Sequence, residues 1–252
     1  MARALAIVPA RMGSTRFPGK VLASETGRPL IAHVVEGARR ARGVSRVVVA
    51  TDDERVRRAV ESFGGECVMT SPDHPNGTSR LAEACGLLGV GDDEVVVNVQ
   101  GDEPEIDAAL IDAAVAALES SGAEAATVAV PFDAADDPGS ANIVKVVRRL
   151  DGSALYFSRA LIPFDRDGAG GDASRPLRHV GLYAYRRSFL RRYRGLAPTP
   201  LEEAERLEQL RVLEHGFRIA VAMVECPAPA GIDTPEQYEA FVRRWRSHAS
   251  PR

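Results

Sequence analysis

Short apolar runs alternate with helix-like segments through the first half of the chain, and this order restricts the possible folds. The runs at 4–8, 46–50 and 94–99 are rich in Val, Ile, Leu and Ala, as expected of buried strands. Segments with apolar residues at helical spacing lie between them or follow them. A repeated strand–helix order gives a mainly parallel sheet with helices on both faces. We therefore predict a three-layer, Rossmann-like α/β fold.

The second half of the chain has a different pattern, with strand-like runs that lie closer together. These runs cover 126–132, 142–149, 154–160 and 178–187. Their spacing predicts a mixed or antiparallel extension of the sheet. Residues 199–216 predict one long helix with Thr199 as its N-cap and Gly216 at its end, and a final helix is predicted over 234–246.

Size, charge and cysteine usage exclude several classes of function. The chain has 252 residues and a net charge of −3, which suits a single domain over 1–252 without a basic surface for nucleic acid. No apolar run approaches the roughly 20 residues that cross a bilayer, and the N-terminal stretch is too short for a signal peptide. Cys67, Cys85 and Cys226 are far apart, which argues against a zinc site or disulfide framework. We expect a cytoplasmic protein.

Parallel sheets bind ligands beyond the carboxyl ends of their strands, so the loops at those ends are the first candidates for a site. The loop after the first predicted strand, residues 9–20, reads PARMGSTRFPGK. It resembles a Walker A loop but has five residues between Gly13 and Gly19, where four are required. Val21 also stands where that motif has its Ser or Thr. The loop is therefore not a P-loop.

The same loop is nevertheless suited to binding an anion. Arg11, Arg16 and Lys20 lie in one strand-to-helix connection that also carries Ser14 and Thr15. Fixed cations and backbone N–H groups in such a position can hold a polyphosphate. We interpret the loop as a basic polyphosphate-binding loop that supplies no metal ligand.

Carboxylates follow the clearest buried strand, in the stretch QGDEPEID at 100–107. Asp102 is nearest the strand end, where a carboxylate can hold a divalent ion between phosphate groups. Glu103, Glu105 and Asp107 are interpreted instead as acids that favour the N-terminus of the next helix. A basic loop and a carboxylate-held Mg²⁺ at one sheet edge are typical of phosphoryl or nucleotidyl transfer.

Several motifs together resemble the CMP-Kdo synthetases, the 3-deoxy-manno-octulosonate cytidylyltransferases. The matching stretches run in family order from residue 5 to about 240: PARMGSTRFPGK, VVVATDDE, DHPNGTSRLAEA, VVNVQGDEP, VKVV, ALYFSRALIPFDRD, RHVGLYAYR, LEEAERLEQLRVLEHG and GIDTPEQYE. The resemblance implies a nucleotidyltransferase-like fold that transfers CMP from CTP to an acidic sugar and releases pyrophosphate. It also implies a homodimer whose contact lies within 140–190.

The resemblance assigns roles residue by residue. It implies a CTP site that consists of Pro9, Ala10, Arg11, Ser14, Thr15, Arg16, Lys20, Asn76, Arg80, Gln100 and Gly101. It implies that Asp102 and Asp233 share the catalytic Mg²⁺ and that Lys20 and Arg16 act with them in catalysis. The implied acceptor contacts are Gln100, Arg159, Arg166, His179, Tyr183, Glu208 and Gln209. On this reading 1–130 is mainly the CTP half, and 131–252 is mainly the acceptor and dimerisation half.

Two departures from the family pattern leave the acceptor open. Ser79 stands where relatives have an acid, and Pro75-Asn76 replaces a more usual pair. The same CTP chemistry could serve another ulosonic or sialic acid, or a phosphonate such as phosphonoformate. A hypothesis of another class is a non-catalytic nucleotide-binding protein. Lys20, Asp102 and Asp233 argue against it, because binding alone needs fewer of them.

Overall fold

The fold is described from a computed structural model that covers residues 4–14, 16–74, 76–134, 136–167, 171, 175–226 and 231–249. Its strands are β1 Ala4–Ala10, β2 Val44–Thr51, β3 Glu66–Met69, β4 Val95–Asn98, β5 Ala125–Pro131, β6 Lys145–Arg148, β7 Ala154–Ser158, β8 Leu177–Arg186 and β9 Ile219–Met223. Within this described part of the chain, no helix has the length and apolarity needed to cross a membrane.

The α-helices lie between the strands in the order that the first half of the sequence predicts. They are α1 Leu30–Arg39, α2 Glu54–Ser62, α3 Gly77–Leu87, α4 Ala108–Ser121, α5 Arg187–Tyr193, α6 Pro200–Glu205, α7 Glu208–Glu214 and α8 Pro235–Ala249. A 3-10 turn, Lys20–Leu22, ends the basic loop. The side chains of Asp53, Asn76 and Asp107 each accept a hydrogen bond from the first turn of the helix that follows.

The central sheet has the strand order β3-β2-β1-β4-β8-β5-β9. The first four strands in this order are parallel, as their strand–helix connections require. β8 is antiparallel to both β4 and β5, whereas β5 and β9 are parallel to each other. Apolar clusters pack on both faces of the sheet, so the three-layer α/β prediction is confirmed.

The predicted mixed extension is also confirmed. β6 and β7 form an antiparallel hairpin, and the start of β6 pairs with the start of β8. The hairpin thus extends from the sheet on the side of β8 and carries the residues around 145–158. Its position matters for function because β8 passes from this hairpin into the middle of the sheet.

The prediction of one helix over 199–216 is wrong. The chain forms α6 and α7, and Arg206 between them has a left-handed backbone with φ 55°. The guanidinium of Arg159 accounts for the interruption: its Nε donates to Glu205 O at 2.7 Å and its Nη2 to Arg206 O at 3.4 Å. These carbonyls are held outside a continuous helix, and Glu208 becomes the first residue of α7.

Candidate active site

The basic loop and the QGDEPE loop meet at the carboxyl ends of β1 and β4, because these parallel strands are neighbours in the sheet. Between them lies a cavity of about 280 Å³, here called the loop cavity. It is lined by Pro9, Arg11, Gly13, Ser14, Lys20, Val21, Gly77, Gln100, Gly101 and Asp102. The predicted convergence of a basic and an acidic loop therefore occurs.

Lys20 joins the two carboxylates that were predicted to share a metal ion. Its Nζ donates to Asp102 Oδ2 at 2.6 Å and to Asp233 Oδ1 at 3.0 Å. A third bond goes to Ile232 O at 2.7 Å, and the lysine side chain is only 10% exposed. The two carboxylates thus lie within reach of one cation, although 131 residues separate Asp102 from Asp233 (233 − 102).

Asp233 is held in place by the start of α8. Its backbone N–H and that of Thr234 donate to the side-chain oxygen of Gln237, at 2.7 and 3.0 Å. Ile232 N donates to Asp102 O at 2.8 Å, which ties this segment to the β4 loop. Arg16 Nη2 donates to Asp233 Oδ2 at 2.8 Å, but its side chain is largely exposed. The site therefore alternates charges in the order Arg16, Asp233, Lys20, Asp102.

The remaining loop residues have distinct positions. Arg11 is half-buried, and its Nη2 donates to His74 O at 2.8 Å; burial lowers the pKa of its guanidinium. Ser14 Oγ accepts a bond from Phe17 N and lines the cavity. Ala10 is buried as the last residue of β1. Thr15 lies outside the described residues.

Gly101 is required by a close approach of two loops. A Cβ atom at this position would lie 2.6 Å from Pro9 O, which is shorter than real contacts allow. The absence of a side chain lets the β4 loop pass directly beside the end of β1. Both predicted nucleotide contacts, Pro9 and Gly101, therefore line the loop cavity as backbone surfaces.

The structure corrects the interpretation of Arg80. This side chain is fully buried, and its guanidinium donates to Thr70 Oγ1 at 2.5 Å and to Asp52 Oδ2 at 3.0 Å. It therefore presents no surface to a nucleotide and instead joins α3 to the ends of β2 and β3. Asn76 caps α3 through Ser79 N, and Ser79 Oγ donates to Asn76 O, so the unusual Ser79 completes a local cap.

A second cavity of about 400 Å³ lies beside the first and is bounded by β8 and α7; it is here called the β8 cavity. It shares Gly77 and Gln100 with the loop cavity. Its polar lining includes Thr78, Asn98, Gln100, Glu103, Asn142, Arg178, His179, Tyr183, Tyr185, Tyr193, Arg206, Glu208 and Gln209. Five of the seven predicted acceptor contacts are among these residues.

Gln100 and Glu208 both line the β8 cavity. Gln100 Nε2 donates to Gly181 O at 3.1 Å, which leaves the side-chain oxygen of Gln100 as a free acceptor on the cavity wall. Glu208 Oε2 accepts from Thr78 Oγ1 at 3.0 Å, and burial raises the pKa of its carboxyl group. Gln209 is buried on the same wall. The helix break at Arg206 brings these α7 residues to the cavity.

The floor of the β8 cavity carries polar atoms that have no partner. Asn98 on β4 and Tyr183 on β8 are directly paired across the two strands, and both side chains are buried. Asn98 Oδ1 and Tyr183 Oη make no hydrogen bond in the described part of the chain. Buried polar atoms without a partner are uncommon in folded proteins. Tyr183 was predicted, whereas Asn98 was not, because only the β4–β8 pairing reveals its position.

Glu103 is a second cavity residue that the sequence did not reveal. It was interpreted as a helix-start acid, but it lines the β8 cavity, and its carboxyl oxygen lies near Gly181. Burial, together with the charge of Asp102, raises the pKa of Glu103 to about 8. A perturbed carboxyl in a cleft marks a functional position.

Two predicted acceptor contacts lie elsewhere. The guanidinium of Arg159 is fully engaged with backbone carbonyls: besides Glu205 and Arg206 it donates to Ala141 O at 2.9 Å. Arg166 is 89% exposed and has Asp167 as its nearest acid, at 4.0 Å. In this conformation neither side chain lines the β8 cavity, and Arg159 instead fastens the α6–α7 break.

Comparisons with known proteins agree with the geometry. Residues 5–219 match a family described as cytidylyltransferase. The chain is 50% identical over 237 residues to a 3-deoxy-manno-octulosonate cytidylyltransferase of Aliivibrio fischeri, which covers 92% of this chain and 95% of the relative. It is 47% identical over 248 residues to the enzyme of the same name from Halorhodospira halophila, with 96% of each chain covered.

Solved structures give the same result. The chain is similar to CMP:2-keto-3-deoxy-manno-octonic acid synthetase complexed with CTP, with a TM-score of 0.90 and 39% identity over 98% of this chain and 100% of that one. It also shares the fold of a cytidylyltransferase from Leptospira borgpetersenii, with a TM-score of 0.61 and 18% identity over 99% of this chain and 89% of the other.

Proposed function

Because the chain belongs to the cytidylyltransferase family, we propose that it transfers CMP from CTP to 3-deoxy-manno-octulosonate and releases pyrophosphate in a Mg²⁺-dependent reaction. The observation that carries this proposal is the junction of the two cavities. Gln100 and Gly77 line both of them, beside the charges of Lys20, Asp102 and Asp233. A nucleotide in one cavity and an acceptor in the other would meet at these charges.

The residues present fit a magnesium ion. Asp102 and Asp233 offer hard carboxylate oxygens, and both already contact the same ammonium group. Mg²⁺ is usually held by one or two carboxylates together with substrate phosphates and water, so a pair suffices. Bound there, the ion would supply charge neutralisation and Lewis-acid polarisation at the α-phosphate.

The basic loop would bind the triphosphate and stabilise the leaving group. Arg11 and Lys20 line the loop cavity, and Arg16 pairs with Asp233, which also contacts Lys20. Their charges match the negative charge that grows on the departing pyrophosphate. The anomeric hydroxyl of the sugar acid gives up its proton to solvent, and its oxygen forms the new bond to the α-phosphorus. The bond from the α-phosphorus to the bridging oxygen breaks, and that oxygen leaves with pyrophosphate. This direct transfer needs no covalent enzyme intermediate.

The β8 cavity favours a polyhydroxylated acceptor over a small phosphonate. The side-chain oxygen of Gln100 and the carboxyl group of Glu208 are hydrogen-bond acceptors on the cavity wall, which match the O–H donors of a sugar. A phosphonoformate-type substrate has no comparable set of hydroxyl groups. Its volume would also leave much of the 400 Å³ cavity unfilled.

Pyrophosphate release in the presence of CTP tests the proposal directly. The purified protein would be assayed with 3-deoxy-manno-octulosonate, N-acetylneuraminate and phosphonoformate in turn, each with Mg²⁺ and with EDTA. We expect turnover with the octulosonate that depends on Mg²⁺. Turnover with phosphonoformate alone would replace the acceptor, and CTP binding without turnover on any acceptor would support a non-catalytic role.

We also propose that the protein is a homodimer that uses the hairpin side of β8. Four large apolar side chains are exposed on the β6–β7 hairpin and the segment after it: Leu150, Leu155, Leu161 and Phe164, the last 86% exposed. An apolar surface of this kind favours association. Light scattering at micromolar concentration should give twice the chain mass, and the double variant Leu155→Asp/Phe164→Asp should give one chain mass. A monomeric wild-type protein would refute the proposal.

A further inference from the structure

Strand β8 has an irregular pairing with β5 next to the β8 cavity. In the pairing with β5, Thr127 pairs with Tyr183 but the next residue, Val128, pairs with Val180. Gly181 and Leu182 are therefore extra residues on β8, and β4 ends at the level of Tyr183. Such bulges leave backbone groups without ladder partners and redirect nearby side chains.

Two side chains satisfy the carbonyl groups of the bulge. Gln100 Nε2 donates to Gly181 O, and Thr127 Oγ1 donates to Leu182 O at 2.7 Å, with Val180 O at 3.2 Å. Thr127 Oγ1 also lies 3.0 Å from His179 Nε2. Thr127 is fully buried and was not among the predicted site residues.

The proton count at Thr127 decides which nitrogen of His179 is protonated. A carbonyl oxygen can only accept, and Leu182 O at 2.7 Å is nearer to Thr127 Oγ1 than Val180 O or His179 Nε2, so we assign the single hydroxyl proton of Thr127 to Leu182 O. The hydroxyl oxygen can then only accept from the imidazole, which requires a proton on Nε2. Burial lowers the pKa of His179 to about 3, so the ring is neutral and Nδ1 carries a lone pair.

The Nδ1 atom is the one available to a ligand. His179 lines the β8 cavity, and the rings of Phe157 and Tyr183 pack against it at centroid distances of 5.0 and 5.4 Å. Nδ1 makes no hydrogen bond to the residues that the structure describes, and His179 as a whole is only partly buried.

We propose that Thr127 is a positioning residue for acceptor binding: its hydroxyl holds His179 as the Nε2–H tautomer, so that Nδ1 accepts a hydrogen bond from a sugar hydroxyl. The identity of that sugar rests on the proposed function, whereas the tautomer does not. Thr127 and Gln100 then act alike. Each uses its donor on a carbonyl of the bulge, and a hydrogen-bond acceptor faces the cavity as a result.

The tautomer can be measured without any substrate. Nitrogen-15 NMR separates protonated from unprotonated ring nitrogens, and the His179 signals are identified by their loss in His179→Gln. We expect Nε2–H in the wild-type protein, a mixed or reversed tautomer in Thr127→Val, and restoration in Thr127→Ser. A wild-type Nδ1–H tautomer would overturn the proposal even if Thr127→Val does not fold.

Kinetics test the consequence for binding. Thr127→Val should raise the KM for the octulosonate about five- to tenfold, the effect of one lost hydrogen bond, with the KM for CTP unchanged. Thr127→Ser should restore it. Thr199→Val is the matched control, because Thr199 Oγ1 is also buried but has no partner and lies outside both cavities.

The outcomes separate this proposal from the proposed function. Equal increases in both KM values, or an unchanged KM for the octulosonate with the predicted tautomer lost, would reduce Thr127 to a structural role and refute the inference. If the wild-type protein does not use the octulosonate at all, the proposed function fails, and the NMR result still decides the tautomer.

Discussion

The two cavities bind polar groups in opposite ways. Four alternating charges contact one another beside the loop cavity: Lys20 and Asp102 line it, and Asp233 and Arg16 adjoin them with side chains that are 40% and 62% exposed. In the β8 cavity, most polar groups are neutral or buried, and a backbone carbonyl fixes the orientation of side chains such as Gln100. Exposed ion pairs cost little to separate, whereas buried hydrogen bonds have a fixed direction. The first cavity is therefore suited to charged groups that replace its internal pairs, and the second to a ligand of fixed shape.

The most severe test of this difference between the two cavities removes one carboxylate from the loop cavity. Asp102→Asn should lower turnover about a thousandfold or more, because a ligand of the proposed Mg²⁺ is lost, while the melting temperature stays close to that of the wild type. Pyrophosphate release and thermal unfolding are the measurements.

Asp107→Asn provides the matched control for this substitution. Asp107 follows in the same stretch but only caps α4 through Ala109 N, a role that Asn also performs. A near-normal rate for Asp102→Asn, or an equal loss in both variants, would contradict the metal assignment.

Lys20→Met tests whether the ammonium group of Lys20 competes with Mg²⁺ for the carboxylates of Asp102 and Asp233. We expect turnover to fall about a hundredfold, because one cation that stabilises the leaving group is lost. The same variant should bind Mg²⁺ more tightly in the absence of CTP, because Asp102 and Asp233 lose the ammonium group that occupies their oxygens. Steady-state kinetics and calorimetric titration with MgCl₂ measure the two effects.

Arg28→Met is the control for lost positive charge, because Arg28 pairs with Glu36 on the surface, away from both cavities. Unchanged Mg²⁺ affinity in Lys20→Met would indicate that the lysine does not compete for the carboxylates. The difference between the loop cavity and the β8 cavity would then need another explanation.

The loop cavity could largely be predicted from the sequence, because its residues follow the ends of strands. The runs 4–8 and 94–99 are recognisable as buried strands, and adjacent parallel strands place their next residues at one edge. This placed Lys20 and Asp102 together. Asp233 needed the family resemblance, because its own stretch, GIDTP, shows only a turn and a helix start.

The β8 cavity could not be predicted to the same degree, because it depends on long-range pairing. Asn98 and Tyr183 meet only because β8 is inserted antiparallel between β4 and β5. The left-handed Arg206 depends on a contact from Arg159, 47 residues earlier, whereas the local sequence has a continuous helical pattern. The orientations of Thr127 and Gln100 follow from a bulge, and no short motif encodes it.

Glu208→Gln tests the fixed hydrogen bonds of the β8 cavity. Glu208 accepts from Thr78 Oγ1, and its second carboxyl oxygen is available to the cavity. The variant keeps the size of the side chain but replaces an acceptor with a donor. We expect the KM for the octulosonate to rise about tenfold and the KM for CTP to stay unchanged.

Glu203→Gln on the exposed face of α6 is the control for this change. A rise in the KM for CTP that matches the rise for the octulosonate would mean that the two cavities do not divide the substrates as proposed.

The smallest expected effect concerns Glu103, which lies where the two cavities approach each other. Its folded-state pKa of about 8 lies above the ordinary value of 4.5, so the folded protein holds a proton that the unfolded chain releases. This group therefore reduces the free energy of unfolding as the pH rises from about 4.5 to 8. Glu103→Gln removes the titration, so its stability should depend less on pH in this window.

The comparison is made on the protein without CTP or Mg²⁺, by urea unfolding at pH 5 and pH 9. Relative to the wild type, Glu103→Gln should gain about 1–2 kcal/mol between these two pH values, a figure reduced for solvent in the cavity. Glu105→Gln is the control, because Glu105 pairs with Arg244 near the surface and lines neither cavity. If the free energy of unfolding changed equally with pH in the wild type and in Glu103→Gln, Glu103 would be solvated like a residue of the loop cavity. The boundary between the two cavities would then lie beyond Glu103, on the β8 side.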